Sequence, residues 1–342
     1  MTVPAVTTVR GYAVERPGGP VRIREYEPTP LGPLEVAVAV THCGVCRTDV
    51  DMIDDAHGIT GDPLVAGHEA VGVVQALGSA VDGTRLEVGQ RVGVGAVAGS
   101  CFACEWCLSG RQYLCPDKDR TVTRGERGGF ATQVRASDWR HVHPLPDAIG
   151  SAQAAPLLCA GATVFAPLLR HGVRPTDRVA VVGVGGLGHL AIQFLAKWGC
   201  HVTAISSTPE KAADAHRFGA HAFVAASEGL DRITDAFDFI LSTATADLPW
   251  DAYLATLRPH GTLSVVGLPP GAISAHPLSL LPGEKKLVGG IPGSPTEIRQ
   301  MLDFAARHGI RPEVESFPVA RMDEALDHVR HGHARYRAVL EL

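Results

Sequence analysis

Arg178-Val179-Ala180-Val181-Val182 is an apolar run, and it leads into Gly183-Val184-Gly185-Gly186-Leu187-Gly188, whose glycines are spaced G-x-G-x-x-G. The residues after it, through Trp198, are apolar and helix-forming. The spacing by itself is a weak signal, since a plain tight turn also uses glycine. Between a buried strand and a helix it reads as a dinucleotide site. There Gly183, Gly185, Gly186, Leu187 and Gly188 let the backbone approach a pyrophosphate, and the helix N-terminus stabilises its charge.

Outward from this segment the alternation continues. His201 to Ile205 reads as a second strand and Pro209 to Phe218 as a second helix. Phe237 to Leu241 and Thr262 to Val266 add further strands. Apolar strands alternating with helices imply a parallel sheet covered on both faces, a doubly wound Rossmann arrangement within an α/β chain. The second strand ends in Ile205-Ser206-Ser207-Thr208-Pro209-Glu210-Lys211. An NAD site usually places a carboxylate there for the ribose hydroxyl. Ser206, Ser207, Thr208 and Lys211 instead suit a 2′-phosphate, so NADP(H) is the expected cofactor. Thr208 also suits a helix cap with Pro209 at the first position, and the two roles are compatible. Glu210 would oppose the phosphate if it pointed inward.

Residues 1 to about 150 have a different character. Val21 to Arg24, Glu35 to Val40, Ala70 to Val74 and Arg91 to Val94 read as strands punctuated by Gly and Pro, an irregular β domain. From Ser151 the chain turns Ala/Leu-rich and helical through Leu169, with Pro156 and Pro167 interrupting it. A helix is expected from near Thr296 to His308, and Arg335 to Leu342 reads as a strand that returns to the β domain. With 342 residues, two domains are expected. A net charge of −5 without a basic stripe argues against nucleic acid and membrane surfaces. No apolar run is expected to cross a bilayer, and the first residues carry no leader pattern, so a cytoplasmic location is expected. Eight cysteines in such a chain point to metal rather than disulfides.

Cys101-x-x-Cys104-x-x-Cys107 followed by Cys115 places four thiols in one short segment. Four thiolates make a closed tetrahedral zinc site, which is structural. An iron–sulfur cluster or disulfides are the rivals; the spacing departs from common ferredoxin runs. A second group is dispersed. Cys46 lies in Thr41-His42-Cys43-Gly44-Val45-Cys46-Arg47-Thr48-Asp49-Val50-Asp51, read as a polar cluster after a tight glycine turn. His68 and Glu69 follow Gly67, and Cys159 stands within Leu157 to Thr163. Spacing does not join these residues. Cys159 also suits plain packing, His68 a satisfied core position, and Cys43-x-x-Cys46 a redox pair.

CGVCRTD, AGHEAVGVV, the four-cysteine lobe, LLCAGATV, GVGGLG and ISSTPEK occur in that order along nearly the whole chain. Together they resemble the zinc-dependent alcohol dehydrogenases of the medium-chain dehydrogenase/reductase superfamily, in the cinnamyl alcohol dehydrogenase-like branch. The resemblance implies a GroES-like β domain with a structural zinc lobe plus a Rossmann domain. It implies segments 1–151 and 295–342 for the first and 152–294 for the second, with the active site in a cleft between them. It implies Cys46, His68 and Cys159 as ligands of a catalytic zinc, with Glu69 able to approach the metal. Asp49 would orient His68, Thr48 would bond the substrate oxygen, and Thr163 would lie near the nicotinamide. Cys43 is then no ligand, and Cys200 has only a packing role.

Two positions depart from the family pattern. Arg47 stands where His is frequent, and its guanidinium suits the cofactor pyrophosphate. Asp51 stands where many relatives have a relay His; it is either a proton carrier of different acidity or a solvated loop residue. His57 would enter the relay if its loop folds inward. Asp51, Asp54 and Asp55 crowd one short segment, as a polar pocket edge or as a solvated surface. The expected activity is hydride transfer between NADP(H) and an aromatic or aliphatic alcohol/aldehyde, with two Zn2+ per chain. Reduction of C=N or activated C=C bonds is the alternative, and a non-catalytic NADPH-binding protein the third reading. Leu281 to Ile291 suits a homodimer edge, with a tetramer also open.

Overall fold

The computed structural model describes residues 8–81, 83, 85–122, 127–230 and 233–342. The first seven residues, part of the stretch read as lacking a leader, lie outside them. The chain forms two compact units. One comprises Met1–Cys159, Gly293–Ala306 and Arg311–Leu342; the other comprises Ala160–Pro292 and Arg307–Ile310. The expected division at 151/152 thus falls ahead of the division by contacts, which leaves Cys159 with the first unit.

In the first unit a seven-stranded sheet runs Val142–Pro144, Arg91–Val94, Ala70–Leu77, Val36–Val45, Arg337–Glu341, Val314–Pro318, with Gln133–Ala136 also paired to Val36–Val45. A smaller sheet joins Val21–Tyr26, Val9–Val14 and Leu64–Val65. Valines dominate the central strand because β-branched side chains suit a pleated, packed surface. Val36, Val38, Cys43 and Val45 enter a core with Leu64, Val74, Val92 and Phe130. The C-terminal strand returns antiparallel to this strand, with Ala338 opposite Val45 and Leu340 opposite Cys43.

The central strand runs on through Val45, so the expected tight turn at Gly44 is corrected. Glycine is needed there for close approach: a Cβ at Gly44 would come within 1.9 Å of Glu69 Oε2. A second correction concerns Ser151–Arg170. Pro156 and Pro167 do not break it; an α-helix over Ser151–Pro156 passes through a π-helical turn at Leu157–Gly161 into Ala162–Arg170. By length and composition alone this helix could cross a bilayer, against expectation. Its most apolar window is 83% buried inside the protein, which accounts for its composition.

The second unit holds a six-stranded sheet in the order Ala222–Ala225, His201–Ser206, Arg178–Val182, Phe237–Ser242, Leu257–Val265, Lys286–Gly289. All its pairings are parallel. The chain starts in the middle and winds outward in both directions, the doubly wound arrangement of dinucleotide-binding domains. Ala180, Ile205, Ile240, Tyr253 and Leu263 fill its core. The two end strands were not marked in the sequence. Each is only 4 residues long and half-buried, so neither carries a long apolar run.

His143 is fully buried beside the register partner Gly93, and neither ring nitrogen has a hydrogen-bond partner among the described residues. Burial pushes its pKa down to about 3, and His141 and Arg299 add to the shift. The folded state therefore keeps His143 neutral while the unfolded chain takes up a proton near 6.5. Stability is full above pH 6.5 and falls as pH drops toward 3. His143→Phe should make the urea-unfolding free energy less steep in that window, by up to about 1.4 kcal/mol per pH unit. An unchanged slope would show that His143 finds an acceptor.

Candidate metal centre and cofactor site

Cys46 opens the short helix Arg47–Ile53 as its N-cap. Asp49 sits at the third helical position and its Oδ2 accepts the Cys46 backbone N–H at 3.0 Å, closing a capping box. Asp49 Oδ1 accepts the Gly67 N–H at 2.9 Å and lies 2.8 Å from His68 Nδ1. One buried carboxylate therefore positions the thiol, the loop before His68 and the imidazole. With the Nδ1 proton donated to Asp49, His68 Nε2 is left free to ligate, and it stands 3.1 Å from Cys159 Sγ. Cys159 lies within the π-helical turn, a feature common at functional sites. The donor atoms of Cys46, His68, Glu69 and Cys159 all lie within 4.8 Å of one another, and all four residues are buried. The residues that spacing left separate are thus brought together. Thr48 Oγ1 lies 3.9 Å from Cys46 Sγ, at the edge of the group.

Sequence reasoning missed one member. Arg337, on the returning strand, is buried and its Nη2 donates to Glu69 Oε1. The signal was a guanidinium at an inward position of an apolar strand. Glu69 Oε2 and Arg337 Nε are buried without partners among the described residues. Burial pushes the Glu69 carboxyl up to about 7, although Arg337 pulls it down. Burial opposes the charge on Arg337, and Glu69 overcomes it. The hydrogen bond with Cys159 holds the Cys46 thiol well below its usual range, while that bond and burial hold Cys159 well above. Burial disfavours protonated His68, but Asp49 holds its pKa well above normal.

This donor set fits a zinc ion. A bound cation would hold both thiols as thiolates, and among the described residues Glu69 Oε2 has no partner beside them. Two sulfurs and one imidazole leave a fourth position open, the catalytic pattern.

Arg47 and Asp51 are placed against each other. Arg47 Nε donates to Asp51 Oδ1 at 2.6 Å, while His57 Nε2 is 3.9 Å from Asp51 Oδ2. The acidic segment is not an open patch: Arg330 grips Asp54 with two bonds of 3.0 Å, and Asp55 Oδ1 accepts the Thr60 N–H.

Cys101, Cys104, Cys107 and Cys115 also bring their sulfurs within 4.8 Å of one another. Backbone N–H groups of Ala103 and Cys104 point at Cys101 Sγ and draw its pKa down to about 6. Burial pushes Cys107 up to about 12. Four converging sulfurs with N–H donors aimed at them fit a closed structural zinc site. Phe102 anchors the lobe: Arg140 lies 3.5 Å over its ring, and His141 meets it edge-on. His141 Nε2 in turn lies 3.0 Å from Ser100 Oγ.

In the second unit, Gly183 leaves its strand at φ +92°, and a Cβ at Gly188 would lie 1.9 Å from Gly183 O. Gly185 faces open space. Gly186 and Leu187 complete the turn, and Leu187 caps the helix Gly188–Trp198. Thr243, unmarked in the sequence, holds the turn by donating to Val182 O at 2.9 Å. The cradle leaves room for a pyrophosphate where side chains would fill it. Beyond it, Ser206 Oγ accepts the Thr208 N–H at 3.2 Å. Ser207 and Thr208 are exposed and Lys211 is half-buried. Thr208 occupies the cap position of a 3-10 turn, but its side chain makes no cap bond, so the hydroxyl is not used by the helix. Glu210 is exposed. Thr163 is buried on Ala162–Arg170. Cys43 is buried against Gly67 and Gly129, outside the donor group. Cys200 bonds the Arg174 carbonyl.

Comparison with known proteins agrees with this geometry. Residues 32–147 match the alcohol dehydrogenase GroES-like domain and residues 186–307 the zinc-binding dehydrogenase domain. An aldehyde reductase of Synechocystis sp. is 42% identical over 334 residues, covering 97% of this chain and 98% of that one. A cinnamyl alcohol dehydrogenase of Sorghum bicolor superposes with a TM-score of 0.92 at 32% identity, over 98% of this chain and 97% of that one. CAD from Helicobacter pylori, solved with NADP(H), gives 0.89 at 27% identity, over 98% of each chain. The chain belongs to the zinc-dependent alcohol dehydrogenases of the medium-chain dehydrogenase/reductase superfamily, in their cinnamyl alcohol dehydrogenase-like branch.

Proposed function

We propose that this chain is a zinc-dependent, NADP(H)-preferring alcohol dehydrogenase that works as an aldehyde reductase on aromatic or aliphatic aldehydes. The observation that carries the reading is the buried convergence of Cys46, His68 and Cys159, with Asp49 holding the first two. These three residues hold a catalytic Zn2+, with Glu69 beside it, and Cys101, Cys104, Cys107 and Cys115 hold a second, structural Zn2+. Bound zinc supplies a Lewis acid for the carbonyl oxygen, and bound NADPH supplies the hydride. Asp49 fixes the His68 ring so that its free nitrogen faces the metal. Thr48 would hand its hydroxyl proton to the product oxygen and recover one from water, while Asp51, on the same short helix, accepts from Arg47. Arg47 contacts the cofactor pyrophosphate, and Thr163 borders the nicotinamide. Gly183, Gly185, Gly186, Leu187 and Gly188 cradle the pyrophosphate. Ser206, Ser207, Thr208 and Lys211 take the 2′-phosphate. The aldehyde reductase name of the Synechocystis relative and the NADP(H) complex of the Helicobacter pylori structure support this reading. A second copy pairs along the edge strand Lys286–Gly289, where Leu278, Leu281 and Ile291 are exposed.

An unsaturated aldehyde offered with NADPH should yield the allylic alcohol. Saturated aldehyde as the product would instead support double-bond reduction. Activity should be much greater with NADPH than with NADH. Lys211→Ala should raise the KM for NADPH about tenfold or more, the worth of a charge-assisted hydrogen bond, and leave that for NADH alone. A native preference for NADH would overturn the reading of Ser206 to Lys211. Asp49→Asn should weaken retention of one of two zinc ions by about 10–100-fold in chelator competition, with the second ion unaffected. Equal loss of both ions would remove Asp49 from its positioning role.

A further inference from the structure

The first unit contains a cavity of about 310 Å³ that involves neither cysteine group nor the glycine turn. It lies where the edge strand Val142–Pro144 and the turn before it meet the helix Pro295–His308. Arg299, Leu302 and Asp303 line it together because helical positions three and four apart share a face. Arg85 and Leu86 close another side.

The lining divides by chemistry. Leu86, Val142 and Leu302 are buried, and Trp139 packs half-buried against the core of this unit. These side chains make an apolar floor with one aromatic face. Arg85, Arg299 and Asp303 are exposed and supply the charge. Arg299 and Asp303 stand four apart on one helix, a spacing at which opposite charges usually pair. They form no ion pair among the described residues. Arg299 Nη2 instead donates to the Arg140 carbonyl at 3.3 Å, which holds the guanidinium near Trp139 and leaves its remaining N–H groups for another acceptor. Among the described residues Arg85 and Asp303 have no hydrogen bond or ion pair, and the Trp139 indole N–H has no acceptor.

We propose that this cavity binds a small organic carboxylate with an apolar body, of the size and kind of a phenyl-substituted carboxylic acid. Two guanidinium groups against one carboxylate leave the lining with a net charge of +1, which suits a monoanion. Guanidinium is the side-chain group best matched to a carboxylate, since its paired N–H groups meet both oxygens. The indole face and the leucine and valine side chains take the apolar body. Asp303 repels a second carboxylate and so selects against dianions. The volume is at the small end of the range for ligand cavities, which excludes a nucleotide or a folded partner. The site goes beyond the proposed catalysis and does not depend on it.

The test is isothermal titration of the untagged holoenzyme, both cysteine groups loaded with zinc, with 3-phenylpropionate. The neutral 3-phenylpropanamide serves as the uncharged control. The parent should bind the carboxylate and hold the amide at least about tenfold more weakly, the worth of a charge-assisted hydrogen bond. Arg85→Gln and Arg299→Gln should each weaken one bound carboxylate per chain by a similar factor. Arg85→Gln removes an exposed, unpaired side chain, so it should keep the parent melting temperature and zinc content. Asp303→Asn should tighten binding. Absence of carboxylate binding, equal affinity for the amide, or unchanged affinity in both arginine variants would each overturn the proposal. Weaker binding in Asp303→Asn would do so too, because it would show that the cavity reads a cation.

Discussion

A single buried carboxylate holds the candidate metal centre together. Asp49 is fully buried and accepts from the Cys46 N–H, the Gly67 N–H and the His68 ring. An unpaired charge there would be costly, so each of its contacts is in effect obligatory. The contacts reach two pieces of chain: the start of its own helix, and the loop Gly67–His68 with its imidazole. Their relative positions are therefore set by charge satisfaction, and the candidate donors Cys46 and His68 inherit that precision. Asp49 also acts as the helix cap partner, so local helix formation and ligand placement are one event.

Much of the fold was legible because its signals are local. The strand, glycine turn and helix from Arg178 to Trp198 are contiguous, and the four lobe cysteines fall within one short segment. Cys46, His68 and Cys159 carry no such local signal, and resemblance rather than spacing joined them. Gly44 was misread for a related reason. A glycine between cysteines looks like a turn, yet the demand on it comes from Glu69 on another stretch of chain. The end strands Ala222–Ala225 and Lys286–Gly289 escaped notice because half-buried edge residues need no unbroken apolar pattern. Pro156 suggested a break where the chain instead passes through a π-helical turn that carries Cys159.

The acidic segment after Thr48 shows how a sequence feature can be absorbed by structure. Asp51 meets Arg47, Asp54 meets Arg330, and Asp55 closes the loop onto Thr60. Two of these contacts tie the short helix Arg47–Ile53 at both ends, and one reaches the C-terminal helix. A run of carboxylates that might have drawn cationic ligands thus serves mainly to fix the helix bearing Thr48. The family position of the relay histidine is filled by a carboxylate already bonded to a guanidinium. The nearest imidazole, His57, is just beyond bonding distance of it.

Charge balance explains why the chain must return to the first unit at its C-terminus. The buried donor group gathers two thiols, a carboxyl and an imidazole, with Asp49 behind them. Among the described residues Arg337 is the permanent positive charge paired with this group, and it arrives on the last strand. A buried ion pair loses roughly 3–5 kcal/mol when one partner is removed, because the other charge is left uncompensated. Glu69 without Arg337 would be driven toward its neutral form by burial. It would then cease to be an anionic neighbour of the Cys46 and Cys159 thiols. The pairing of Arg337–Glu341 with the central strand is thus an electrostatic requirement of the site as well as a completion of the sheet. It makes the first unit's site depend on residues near both of its ends in sequence.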